Sequence, residues 1–203
     1  HNKYVVDGLK QRGAILIEEI KDVPESSILI YSAHGVPLAV REEALAKNLT
    51  MVFDATCPLV SKVHVEIKNL HRQNYTIIMI GHKGHPEVEG TMGQVTDHIH
   101  LIENEADIEN LTIPRDIEKI AVVTQTTLSV DETKSIIAKL MQVFSNLRLP
   151  KNEDICYATQ NRQDAVKEMA EYCDVVLVIG SKNSSNSNRL KELAENLGVK
   201  AYL

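Results

Sequence analysis

Short apolar runs rich in β-branched residues recur along the chain at residues 14–17, 27–31, 49–53, 75–80, 120–123 and 174–179, and again at the end, 200–203. Runs this short and this apolar on both faces read as buried strands. Between them the apolar spacing changes to that of helices. Residues 1–12 place Tyr4, Val5 and Leu9 on one face before Gly13, and 37–47 open with a proline. Residues 58–72 carry Val60, Val63, Ile67 and Leu70 at helical intervals. Further helices are predicted over 87–95, from Ser129 to about 144, over 161–171, and up to Leu197. Strand and helix in alternation predict a parallel α/β architecture.

Six polar loops share one position in this scheme: each follows a strand at its C-terminal end. They lie at His34, Cys57, His85, Thr126, Cys156 and Ser184. In parallel sheets those ends fall on one edge, where helix N-termini offer free N–H groups, so the six loops are expected to converge on one site. The richest of them is Gly81-His82-Lys83-Gly84-His85-Pro86-Glu87-Val88-Glu89-Gly90, which follows the run at 75–80. It brings two imidazoles and a carboxylate to a strand end, and marks His82, His85 and Glu87 as candidates.

The spacing also repeats. Cys57 precedes Gly81 by 24 residues and His85 by 28, while Cys156 precedes Gly180 by 24 and Ser184 by 28. In each block an Asp shortly precedes the Cys, a helix follows it, and an apolar strand leads to the glycine, with a period of 99 residues. His1 would be the counterpart of His85 and Ser184 in a preceding unit, with a cysteine about 28 residues upstream of it. The fold expected is therefore three pseudo-symmetric parallel-sheet α/β domains around a central site, the first and third incomplete in this chain. Residues 1–57 would be the C-terminal part of the first, 58–153 the whole second, and 154–203 the N-terminal part of the third.

Composition narrows the function classes. A net charge of −6 argues against nucleic-acid and membrane-surface partners, so an anionic ligand must be held by local groups. The longest unbroken apolar run, 175–179, is far short of the ~20 residues that span a bilayer. Three widely spaced cysteines are no disulfide framework and suit a reducing, cytoplasmic compartment.

Three thiolates, one from each unit, would suit a cubane cluster with one iron left open to substrate. Cys57 and Cys156 are the candidates here, whereas Cys173 directly precedes a core strand and reads as a structural thiol. Ser184, Ser185 and Asn186 form a run of neutral donors for phosphate oxygens, and capping accounts for one of the three. His1, His34 and His85 add charge-assisted donors when protonated. Glu87 is a candidate proton donor if enclosure raises its pKa, with Thr126 to orient the proton or to form only a strand-end turn. Two other classes stay open on residues alone: a phosphate-binding isomerase or metal-assisted lyase, and a non-catalytic redox sensor.

Four stretches, Asp54-Ala55-Thr56-Cys57-Pro58-Leu59-Val60, the loop from Gly81 on to Gln94, Thr124-Gln125-Thr126-Thr127-Leu128-Ser129 and Gly180-Ser181-Lys182-Asn183-Ser184-Ser185-Asn186 on to Leu190, resemble the LytB family of hydroxymethylbutenyl diphosphate reductases. The resemblance runs from His1 to Leu203. It implies reductive dehydroxylation of 4-hydroxy-3-methylbut-2-enyl diphosphate to isopentenyl and dimethylallyl diphosphate, the last step of the non-mevalonate isoprenoid pathway. It implies a 4Fe-4S cluster with Cys57 and Cys156 as two of its three ligands, and an external electron donor such as flavodoxin or ferredoxin. By matching positions, His1, His34, His85, Ser184, Ser185 and Asn186 hold the diphosphate, Glu87 supplies protons, and Thr126 meets the substrate hydroxyl. The family's first cysteine and a last diphosphate-binding serine have no counterpart here, so the chain alone is expected to be inactive.

Overall fold

The computed structural model describes residues 3–150 and 154–203, which leaves His1 outside the described residues. Its best-formed part is a four-stranded sheet in the order β4-β3-β5-β6, built from Ile99–Ile102 (β4), Thr76–Ile80 (β3), Ile120–Thr124 (β5) and Leu147–Arg148 (β6). All its pairings are parallel, and β3 pairs β5 from Thr76↔Ile120 to Ile80↔Thr124. The two central strands are buried along nearly their whole length, which explains why they read as unbroken apolar runs.

Pro58–Arg72 (α3) lays its apolar stripe on this sheet. Val63, Ile67 and Leu70 pack with Ile77, Met79, Val88, Ala121 and Val123 in one cluster. Ile77 has no exposed surface, so Ile77→Ala is expected to destabilise the fold by about 2–5 kcal/mol. A lowered urea midpoint with unchanged m-value would register it, and a loss under about 1 kcal/mol would contradict this account of the core.

Two smaller parallel sheets follow the same βαβ plan. Ile28–Tyr31 (β1) and Met51–Asp54 (β2) pair across Leu38–Ala46 (α2), and Val175–Leu177 (β7) pairs Lys200–Tyr202 (β8) across Ser185–Asn196 (α7). Val166, Val176, Ala194, Val199 and Ala201 form the core beside the latter. The remaining helices are Lys3–Gln11 (α1), Pro86–Met92 (α4), Val130–Val143 (α5) and Tyr157–Ala170 (α6). The described residues fall into two units: one of residues 18–126, 132–150 and 154, the other of 3–17, 127–131 and 155–203. Among them no helix is long and apolar enough to cross a membrane.

The parallel α/β class is as the sequence predicts, with four local differences. Residues 14–17 form no strand: Ile15 and Leu16 stay largely exposed beside Gly13 at φ 93, since no neighbouring strand among the described residues offers a ladder. Conversely, Ile99–Ile102 and Leu147–Arg148 are strands that local patterning does not announce. Helix α4 stops at Met92, short of Val95, where Gly93 forms its C-cap. Helix α6 starts at Tyr157 immediately after Cys156, four residues before the predicted start.

Candidate functional site

In the unit of residues 18–126, 132–150 and 154, β3 delivers its loop through Gly81. A Cβ there would lie 2.6 Å from Val88 Cγ2, so only glycine lets the chain pass under α4. A turn follows, closed by His85 N–H donating to the His82 carbonyl at 3.1 Å, and His85 becomes the N-cap of α4. Its Nδ1 accepts from Glu87 N–H at 3.2 Å, which places the ring proton on Nε2. The His34 ring, carried by the loop after β1, stands edge-on to His85 with centroids 5.6 Å apart. Burial lowers the pKa of both rings, His85 to about 4 with His34 and His82 adding to the effect. Both imidazoles are therefore neutral at pH 7 in the free protein. His82 does not join them: its Nδ1 faces Glu103 at 3.8 Å.

What holds the His34 loop there is close backbone packing. A Cβ at Gly90 on α4 would stand 2.9 Å from the Gly35 carbonyl oxygen. Gly90→Ala is expected to destabilise by about 1–3 kcal/mol and to separate His34 from His85. Thermal melting and loss of the His34–His85 proximity in NMR would show it; a variant with both unchanged would refute the packing argument.

Glu87, in the first turn of α4, is 4% exposed. Its carboxylate takes both donors of one residue: Oε1 accepts Thr126 N–H at 2.6 Å and Oε2 accepts Thr126 Oγ–H at 2.9 Å. Burial raises its pKa, only partly offset by those two bonds. Gln125, wholly buried, accepts His82 N–H at 3.1 Å and so ties the histidine loop to the end of β5.

A second buried carboxylate adjoins this strand end. Asp154 Oδ2 accepts Thr124 N–H at 3.1 Å and Oδ1 takes Lys62 Nζ at 3.3 Å. Burial pushes its pKa up to about 6. Sequence reading noted only that an Asp precedes each of the two cysteines. The other such residue, Asp54, is exposed; it accepts from Thr56 N–H and Thr56 Oγ–H and pairs with Arg41 at 2.7 Å, and against some desolvation these partners hold its pKa down to about 2. That turn presents Cys57, whose N–H donates to the Ala33 carbonyl at 2.9 Å and which is the N-cap of α3.

In the other unit, Cys156 is the N-cap of α6, with its Sγ 3.1 Å from Thr159 Oγ1. Ser184 is the N-cap of α7 and accepts Ser187 N–H at 3.4 Å. Ser185 Oγ–H donates to the Thr127 carbonyl at 3.3 Å, and Asn186 Oδ1 is buried with no partner among the described residues. The offset of 28 residues thus joins two N-caps in each block, Cys57 to His85 and Cys156 to Ser184. Cys173 lies at the opposite end of α6 from Cys156, some 14 helical residues or about 21 Å away, too far to share a ligand with it.

Both N-cap thiols are free and half-buried at helix N-termini. Among the described residues no three His, Cys, Asp or Glu side chains assemble into a metal site.

Comparison with known proteins matches residues 1–203 to the family described as LytB protein. A 4-hydroxy-3-methylbut-2-enyl diphosphate reductase of Chromobacterium violaceum is 61% identical over the whole chain, and one of an Azoarcus species is 60% identical. The chain spans 65% and 64% of the length of these relatives. Among solved structures, the E-1-hydroxy-2-methyl-but-2-enyl-4-diphosphate reductase from Plasmodium falciparum superimposes with a TM-score of 0.95 at 43% identity, over all of this chain and 63% of that one. A second structure, described as (E)-4-hydroxy-3-methyl-but-2-enyl diphosphate reductase, the terminal enzyme of the non-mevalonate pathway, matches at 0.71 and 32%, over all of this chain and 70% of that one.

Proposed function

The chain belongs to the LytB family, and from that premise we propose that the intact protein containing it reductively removes the hydroxyl of 4-hydroxy-3-methylbut-2-enyl diphosphate, giving isopentenyl and dimethylallyl diphosphate. The observation that carries this reading is the buried Glu87 carboxyl, gripped by both donors of Thr126 at the loop that also bears His85. A carboxyl that burial keeps protonated nearer neutrality is a proton source, which a reductive dehydroxylation needs and a plain phosphate-binding loop does not.

Two electrons and two protons enter the reaction. The allylic C–O bond breaks, one proton leaves with the hydroxyl as water, and the other ends on an allylic carbon. A 4Fe-4S cluster, when bound, supplies the electrons and an open iron for the hydroxyl oxygen. Cys57 and Cys156 would hold it as thiolates, with a third ligand from the part of the relatives' length that this chain does not span. Thr126 Oγ orients the substrate hydroxyl against Glu87. His1, His34, His85, Ser184, Ser185 and Asn186 are assigned to the diphosphate; with His85 Nδ1 engaged by Glu87 N–H, the Nε2–H of that ring is the one it can turn to a phosphate oxygen. An external one-electron carrier, a flavodoxin or ferredoxin, would complete the cycle.

The reading is tested by anaerobic incubation of the iron-loaded intact protein with substrate and a reduced viologen. Formation of both products is expected, whereas full iron and sulfide content with no product would sink it.

A pH dependence follows from the histidines. His85 is held neutral down to about pH 4 in the free state, and an arriving diphosphate raises that pKa because it stabilises the imidazolium. Between about pH 5 and 7, inorganic diphosphate should therefore bind with net proton uptake and bind more weakly as pH rises. Calorimetry in two buffers of different ionisation enthalpy would read this, and zero uptake would remove the histidines from the diphosphate site.

A further inference from the structure

The last residues of β5 leave the sheet, and their N–H groups must find partners elsewhere. On the β3 side Gln125 N–H donates to the Ile80 carbonyl at 2.8 Å. Alternation sends the N–H of Thr124, the last residue of β5, to the opposite edge, along which β6 pairs only as far as Ala121↔Arg148, and Thr126 lies beyond the strand in a turn. Two buried carboxylates supply the acceptors: Asp154 takes Thr124 N–H and Glu87 takes Thr126 N–H.

We propose that Asp154 is a positioning residue for the Glu87–Thr126 pair: by anchoring Thr124 N–H it sets the line of the strand end, and so the direction in which Thr126 offers its N–H and Oγ–H to Glu87. The identity of the group supports this. A wholly buried carboxylate is a costly way to satisfy one N–H that a neutral backbone carbonyl of a longer β6 would satisfy, and it needs Lys62 to compensate its charge. A longer β6 would satisfy that N–H without joining the strand end to α3. The carboxylate instead reaches one N–H, leaves the next for Glu87, and with its second oxygen binds Lys62 of α3, the helix that begins at Cys57. The strand end is thereby tied to a rigid element.

This inference deepens the proposed reading of Glu87 but is read out without cluster, substrate or turnover. Single-amide hydrogen exchange is measured by NMR on the intact protein and its variants. Asp154→Ala and Asp154→Ser, the latter polar but too short to reach Thr124, should each speed exchange of both Thr124 and Thr126 amides about tenfold, with Ile78 and Val122 unchanged. Asp154→Asn keeps an oxygen for Thr124 and should restore Thr126 to within about threefold. Should Ala not fold, the Ser and Asn pair carries the comparison. Thr126 exchanging at the unsubstituted rate in the Ala or Ser variant while Thr124 speeds up would overturn the proposal, as would an Asn variant as fast as Ser. Neither result touches the reductase reading, which stands or falls on product formation.

Discussion

Glu87→Gln in the iron-loaded intact protein is expected to lower kcat by about 10²–10⁴-fold while iron content and inorganic diphosphate affinity stay within about twofold. Glutamine has the size of glutamate, and its single oxygen accepts one of the two Thr126 donors that the carboxylate takes together. The amide NH₂ can donate to Thr126 Oγ, whose hydroxyl hydrogen rotates away, so the pair holds and the large loss comes from chemistry: an amide cannot release the proton that the reaction consumes. Equal falls in kcat and kcat/KM would place the defect in the transition state. Retained turnover would take Glu87 out of proton supply and favour a redox sensor, whose behaviour would not depend on this carboxyl. Thr126→Val keeps the backbone N–H and the shape but removes the Oγ–H bond, so a smaller loss in the same direction is expected.

Replacing Cys57 or Cys156 by serine should abolish stable iron and sulfide binding in the intact protein, whereas Cys173→Ser should leave it unchanged. Serine is nearly isosteric, so the half-buried N-cap positions tolerate it and far-UV circular dichroism should not change. A hydroxyl is nevertheless a hard oxygen ligand, whereas the iron of a sulfur cluster is held by soft thiolate sulfur. Cys173 serves as the control because it sits at the far end of α6, with its N–H donating to the Met169 carbonyl. Full iron retention in either N-cap variant would remove that cysteine from the ligand set and revive the isomerase or lyase reading, which needs no iron.

Much of this site was legible before any fold was known, since local chemistry leaves local marks. The Gly81-to-Gly90 loop declares itself because a strand, a glycine under a helix and an N-cap histidine follow in order over ten residues. The 28-residue offset from Cys to the next N-cap is likewise a property of the chain alone. Even the capping role of one serine in Ser184-Ser185-Asn186 was foreseeable, and the structure gives it to Ser184.

The strand errors have a common cause. Residues 14–17 have strand composition but no pairing strand among the described residues, and 99–102 have mixed composition, Ile-His-Leu-Ile, but lie beside β3 with four residues in register. Strand formation is a pairing decision, and the pairing partner is distant in sequence.

The sequence by itself determined the parallel α/β class, the central strands β3 and β5, the loops that follow them, and the residue types each loop offers, because these depend on apolar period, capping and glycine placement within a few neighbours. Only the tertiary structure decided what those residues do to one another. It set Glu87 against Thr126 across 39 positions, His34 against His85 through two glycines in backbone contact, and Asp154 against Lys62 and Thr124. The direction of each pKa shift came with it, since burial and partner charge belong to the folded neighbourhood and have no counterpart in the order of residues.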